Sequence, residues 1–223
     1  MSHGPESHGP GDGAPALRVE RVVTSGIFSL DGGDFEVDNN VWLVGDDDEV
    51  VVIDAAHTAG PIVEAVAGRR VPVIVATHGH NDHINAAVEL ADALGAPVAL
   101  HPDDRALWDV VYPQRAPDRD LRDGQEIPVA GRVLRVLHTP GHSPGGVCLE
   151  VVDGDLVFSG DTLFQGGPGA TGRSFSHFPT IIASIRDHLL VLPAPTVVHT
   201  GHGDDTTVGA EALHLEEWIA RGH

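Results

Sequence analysis

The sequence predicts an α/β protein in which two β-sheets pack face to face and helices cover their outer sides. Short Val- and Ile-rich runs punctuated by Gly/Asp turns predict the sheets. Segments of helical period interleaved with later runs predict the helices. The order β-rich then mixed α/β occurs once in each half of the chain, and two packed sheets with helices outside bury all of these strands.

Residues 1–16 carry Gly, Pro, Ser and His and cannot build a packed element, so a disordered tail is expected there, with His3 and His8 solvated. The tail has no apolar segment of the signal-peptide kind, and the expected location is the cytoplasm. RVERVVT (18–24), NNVWLVG (39–45) and EVVVIDA (49–55) read as strands joined by DGGD and GDDD turns. The acidic run Asp46 to Glu49 lacks the spacing of a calcium loop and reads as a solvated turn. From residue 58, TAGPIVEAVAG reads as a helix and VPVIVAT (71–77) as a buried strand. INAAVELADALG (84–95) is a helix stopped by Gly95, and PVALH (97–101) is another strand. QEIPVA, RVLRVLHT, GVCLEVV and DLVFSG restore the β pattern between 125 and 160. FPTIIASIRDHLLVL (178–192) is an amphipathic helix, TVVHT (196–200) a strand and VGAEALHLEEWIARG (208–222) the closing helix. No long linker interrupts this series, so residues 17–223 are expected to form one domain.

Composition narrows the function. The formal net charge is −20 and all 13 basic residues are Arg, a surface that repels phosphate backbones and disfavours nucleic-acid partners. No apolar run approaches the roughly 18 residues of a membrane span. The single cysteine, Cys148, excludes an intramolecular disulfide and sits in an apolar strand as a buried, inert thiol.

The chemistry is concentrated in THGHNDH (77–83), which follows a strand and precedes a helix. His78 and His80 are two apart on a turn and can converge on one ion, while Asp82 and His83 can serve a second ion beside it. Further candidates stand at other strand ends: His142 in TPGHSPGG, Asp161 in SGDTLF and His202 in TGHG. A carboxylate can bridge two cations through its two oxygens, which is the natural role for Asp161. Taken singly, His142 and His202 also read as turn histidines and Asp161 as a helix N-cap. Together, each flanked by glycine at a strand end, they read as one metal site.

THGHNDH, TPGHSPGG, SGDTLF and TGHG, in this order, resemble the metallo-β-lactamase fold superfamily, and SGDTLF resembles its glyoxalase II-like thioester hydrolases. The resemblance runs from about residue 18 to 220 and implies a four-layer αββα sandwich with two divalent metal ions at one edge, zinc first, with iron or mixed iron and zinc as the alternative. It assigns His78, His80 and His142 to the first ion, Asp82, His83 and His202 to the second, and Asp161 as the bridge. Asp82 is implied to orient the nucleophile or take its proton, and Asp54 matches a position that supports the site from behind. Arg173, in GGPGATGRSF, is a candidate for an anionic group of the substrate or a brace for its loop. His57, His138 and His199 read as structural, and His101 and His188 carry no signal.

The implied reaction is attack of a metal-activated water on a thioester of a small thiol. The C-terminal helical domain that binds glutathione in glyoxalase II is expected to be missing, and the body resembles compact actinobacterial members, which use mycothiol and whose GC-rich genomes suit the Lys-free, Ala/Gly/Asp/Arg-rich composition, so an S-acyl-mycothiol is the expected substrate. A mononuclear-iron persulfide dioxygenase using His78, His142 and Asp161, and a lactonase-type hydrolase, are the alternatives on the same fold.

Overall fold

The computed structural model describes residues 17–222; the tail expected over 1–16 lies outside that range. β1 (Arg18–Leu30) and β2 (Gly33–Gly45) form a long antiparallel hairpin, in register from Arg18 opposite Gly45 to Leu30 opposite Gly33. Its tip is the DGGD turn, where Asp31 and Gly32 adopt φ of 53° and 77°, the paired left-handed conformation favoured in two-residue hairpin turns. The expected strands covered only the inner part of this hairpin. Its outer part is held by ladder bonds and carries Ser, Gly and Asp, so no apolar alternation marks it.

β3 (Val50–Ile53) is buried on both faces: Val50 and Val52 point to the helices, Val51 and Ile53 to the other sheet. α1 (Ala59–Val66) crosses over to β4 (Ile74–Val75), and α2 (Asn81–Ile84) with α3 (Ala87–Leu94) crosses to β5 (Val98–Leu100). The helix expected over 84–95 is α3, which starts at Ala87 and ends at the Gly95 cap as expected, with the single turn of α2 before it, and the strand expected over 71–77 keeps only two ladder residues. α4 (Arg105–Val111) and β6 (Arg119–Asp120), which complete this half, are too short to show a period in the sequence.

The second sheet starts with the meander β7 (Glu126–Val129), β8 (Arg132–His138), β9 (Val147–Val151) and β10 (Leu156–Gly160). β11 (Leu163–Phe164) and β12 (Gly167–Pro168) form a small separate pair. α5 (Phe178–Ser184) runs into a π-helical turn at Ile185–Leu189 within the expected helix. β13 (Val197–Thr200) pairs parallel to β10, followed by β14 (Thr206–Thr207), α6 (Val208–Ala212) and α7 (Leu215–Arg221); the expected closing helix is broken in two.

The sheet orders are β1-β2-β3-β4-β5-β6 and β14-β13-β10-β9-β8-β7. One apolar layer, including Leu43, Ile62, Leu90 and Trp108, lies between the first sheet and its helices. A second, including Trp42, Ile53, Leu134 and Phe158, lies between the sheets. A third, including Val157, Ile181, Ile185 and Trp218, lies under the outer helices of the second sheet. These layers make the αββα sandwich. Cys148 is fully buried in the third, and burial pushes its thiol up to about 11, so it is inert as expected.

Candidate metal centre

The polar residues gather where the ends of β3, β4, β8, β10 and β13 meet. β4 is released after Val75, and the backbone N–H of Thr77 turns back to the Asp54 carboxylate at 2.7 Å. His80 is the extended residue before α2, which puts His78 and His80 on the turn and Asp82 and His83 in the first helical turn. The two halves of THGHNDH therefore face different neighbours.

The first half meets His142. His80 Nδ1 lies 3.0 Å from both His78 Nε2 and His142 Nε2. The outer nitrogens fix the tautomers. His142 Nδ1 donates to the Ala170 carbonyl at 2.9 Å, leaving Nε2 without a proton. Thr77 Oγ1 donates to Asp54 at 2.8 Å and therefore accepts from His78 Nδ1 at 3.1 Å, which bares His78 Nε2 as well. Two lone pairs thus converge on a third imidazole. Protonation does not relieve this: burial, reinforced by the neighbouring imidazoles, holds His78 well below its ordinary value and His80 down at about 3. Such a cluster fits a cation.

The second half meets His202. His83 Nε2 and His202 Nε2 are 3.1 Å apart, and Asp82 Oδ2 lies 3.5 Å and 3.4 Å from them. His83 Nδ1 donates to Asp54 and His202 Nδ1 to the Asp38 carbonyl, so each turns Nε2 inward; against the pull of burial, Asp161 and Asp82 raise His83 well above its ordinary value, so without an ion the inner nitrogens hold protons that a cation would displace. Asp161 lies between the trios, its oxygens 3.3 to 3.5 Å from His83, His202 and His142. One oxygen of Asp82 and one of Asp161 are buried with no hydrogen-bond partner among the described residues. Burial opposes charge on Asp161, but His83 and His202 outweigh it and hold the carboxyl well below its usual range. Burial likewise opposes charge on His202, and Asp161 and Asp82 reverse it, raising His202 to about 10. Carboxylates this anionic, beside two imidazole nitrogens turned inward, make a second place for a divalent ion.

The expected residues are therefore brought together as His78/His80/His142 and Asp82/His83/His202, with Asp161 between them; Asp161 caps no helix. Asp54 stands behind both trios through Thr77 and His83. Two supporting residues escaped the sequence reading. Asp104 is fully buried and accepts from the Gly79 N–H at 2.7 Å, Ser143 Oγ at 2.7 Å and the Gly145 N–H at 2.5 Å. Asn39 is fully buried against the second trio. The polar pair Asn39–Asn40 directly ahead of the apolar run VWLVG was the available signal; Asp104 had none, because it follows a Pro-Asp turn that reads as surface.

Arg173 is exposed, and its guanidinium lies 4.8 Å over the Phe35 ring. With Phe28, Leu30, Ala170, Ser174 and Ser176 it lines a cavity floored by His80 and His142. His138 stacks on His101 at 4.0 Å and bonds the Pro144 carbonyl, bracing the His142 turn. His199 stacks on Phe158 and bonds Asp205, and His188 sits in the π-helical turn. His57 contacts Asn39.

Residues 34–202 match the family described as the metallo-beta-lactamase superfamily. An uncharacterized protein of Mycobacterium tuberculosis is 38% identical over 161 residues, covering 62% of this chain and 71% of its own. Hydroxyacylglutathione hydrolase GloC of Haemophilus influenzae is 31% identical over 189 residues, 77% of this chain and 89% of its own. The crystal structure of TTHA1623 in a di-iron-bound form superposes with a TM-score of 0.70 at 35% identity, covering 79% of this chain and 93% of that one. With the sandwich, the paired trios and these likenesses in agreement, the chain belongs to the metallo-beta-lactamase superfamily.

Proposed function

We propose that this metal-dependent hydrolase cleaves a thioester of a low-molecular-weight thiol, with an S-acyl-mycothiol as the first substrate to try. One observation carries the reading: two trios whose imidazole nitrogens turn inward share Asp161, while among the described residues no serine or cysteine side chain hydrogen-bonds a member of either trio. His78, His80 and His142 would hold one cation and Asp82, His83 and His202 the other. Such a pair supplies a Lewis acid for the carbonyl and a water acidified to near neutrality. Asp82 keeps one oxygen free of hydrogen bonds, suited to orient that water or receive its proton. A thiolate leaves without needing a proton and suits zinc as a soft ligand, so no further acid is required. The relative named hydroxyacylglutathione hydrolase supports the thioester class. Arg173, at the mouth of the cavity beside His80 and His142, is the residue we assign to an anionic group of the substrate.

The test is elemental analysis of untagged protein, followed by assay on thioesters and lactones. Nearly two zinc ions per chain and thioester turnover are expected. About one iron, little zinc and oxygen uptake with a persulfide would replace this reading with a dioxygenase.

A further inference from the structure

The two trios differ in one respect. Nothing in the described residues occupies the first, whose nitrogens face one another. In the second, the side-chain nitrogen of Asn39 lies 3.1 Å from Asp82 Oδ2, 3.2 Å from His83 Nε2 and 3.4 Å from His202 Nε2. The amide nitrogen thus stands against the same carboxylate oxygen and the same two ring nitrogens that a cation would use.

The direction of that amide is fixed from a distance. Asn85 Oδ1 accepts the backbone N–H of His57 at 2.5 Å, which leaves the Asn85 amide nitrogen to donate to His57 Nδ1 at 3.2 Å. His57 Nδ1 is then bare and Nε2 carries the proton, donating to Asn39 Oδ1 at 2.7 Å. The only orientation left to Asn39 points N–H₂ into the trio and its oxygen away. Since the chain begins at a backbone N–H, which only donates, no amide flip is compatible with it. Gly26 lets β1 close over the far side, where an added Cβ would stand 2.2 Å from His57 Nδ1.

We propose that Asn39 is a built-in occupant of the second trio, and that the Asn85–His57–Asn39 chain makes the second ion the weaker and later of the two to bind. An amide oxygen turned inward would be a ligand for a hard or borderline cation; the amide hydrogens instead serve Asp82 Oδ2 in the metal-free trio and are given up when an ion arrives. Among the described residues neither the His57 nor the Asn85 side chain hydrogen-bonds a member of the second trio, and both act through Asn39.

The inference rests on reading the trios as a metal pair. The experiment is stepwise zinc binding by calorimetry with chelator competition, on the full chain stripped of metal and on Asn39→Leu and His57→Phe. In the wild type, two steps separated by about tenfold or more are expected. In both variants the second step should tighten about fivefold or more while the first stays in place. His57→Phe keeps every residue of the trio, so it decides the question even if Asn39→Leu fails to fold. A wild type that takes one zinc while a variant takes two also supports the chain's role. A second step that is unchanged or weaker in His57→Phe overturns it. Uptake of no zinc by the wild type would remove the metal-pair reading itself, and this inference with it.

Discussion

The carboxylate of Asp104 accepts the backbone N–H of Gly79 at 2.7 Å, between the two histidines that open the metal motif. Its other bonds go to Ser143 and Gly145, on either side of the turn that follows His142, so one buried side chain ties together the segments that supply the first trio. The glycines follow from this. A Cβ at Gly145 would lie 2.7 Å from the Asp104 nitrogen, and one at Gly79 3.0 Å from its carbonyl. Asp104→Asn keeps the shape but turns an N–H₂ toward one of these donors. Zinc affinity at the first trio should fall about tenfold or more, the range for loss of such outer support. Chelator competition measures it, and an unchanged first affinity would show that the turns hold their places without Asp104.

Asp54 predicts a loss at the other trio. It fixes His83 with Nδ1 protonated and Nε2 turned inward, at 2.9 Å, and also holds Thr77. Asp54→Ala frees the imidazole to present its proton inward, so the second ion should bind about tenfold or more weaker. Loss confined to the first step would contradict this assignment.

Gly201 shows how tightly the bridging carboxylate is housed. A Cβ there would stand 2.3 Å from Asp161 Oδ1 and 2.9 Å from His83 Cε1. Gly201→Ala must push Asp161 off its position between the trios, at an overpacking cost of about 1 to 3 kcal/mol. We expect the variant to bind fewer than two ions per chain after dialysis, while wild type treated alike retains both. Full retention would mean that the backbone around residue 201 yields instead.

Much of this site was legible because its residues come in short motifs at strand ends. His78, His80, Asp82, His83, His142, Asp161 and His202 need only local turns to project them, and the apolar runs before them announce the strands. Asp104 and Asn39 were not legible for the opposite reason. Each acts across the fold, Asp104 on segments 25 and 41 residues away and Asn39 on residues 43 to 163 away, and no local pattern encodes such contacts. The same distinction runs through the fold. β3 announced itself by four buried aliphatic residues, whereas the outer hairpin, held by ladder bonds and polar on its surface, did not. His57 read as structural from sequence, and in three dimensions its place is between Asn85 and Asn39.

The histidines also predict how the metal-free protein responds to pH. In the folded chain His80 is held down at about 3, first by burial and then by His142, whereas in the unfolded chain it titrates near its ordinary value of 6.5. Between those values the unfolded state binds a proton that the folded state refuses, so stability falls as pH drops, by up to about 1.4 kcal/mol per pH unit for this group. His78, also held well below 6.5, adds to the same slope. His202 has the opposite sign, and so has His83, which is also raised. Raised to about 10, His202 contributes stability that is complete below 6.5 and is lost as pH rises through its folded value. The metal-free protein should therefore be most stable near pH 6.5, with its Tm falling toward pH 4.5 and again toward pH 10. His80→Gln should lessen the fall on the acid side and His202→Gln that on the alkaline side, where His83 keeps part of it. Differential scanning calorimetry across this range is the measurement. A Tm flat from pH 7 to 4.5 in the metal-free wild type would mean that the first trio takes up protons in the folded state, and that its imidazoles are not held neutral for a cation.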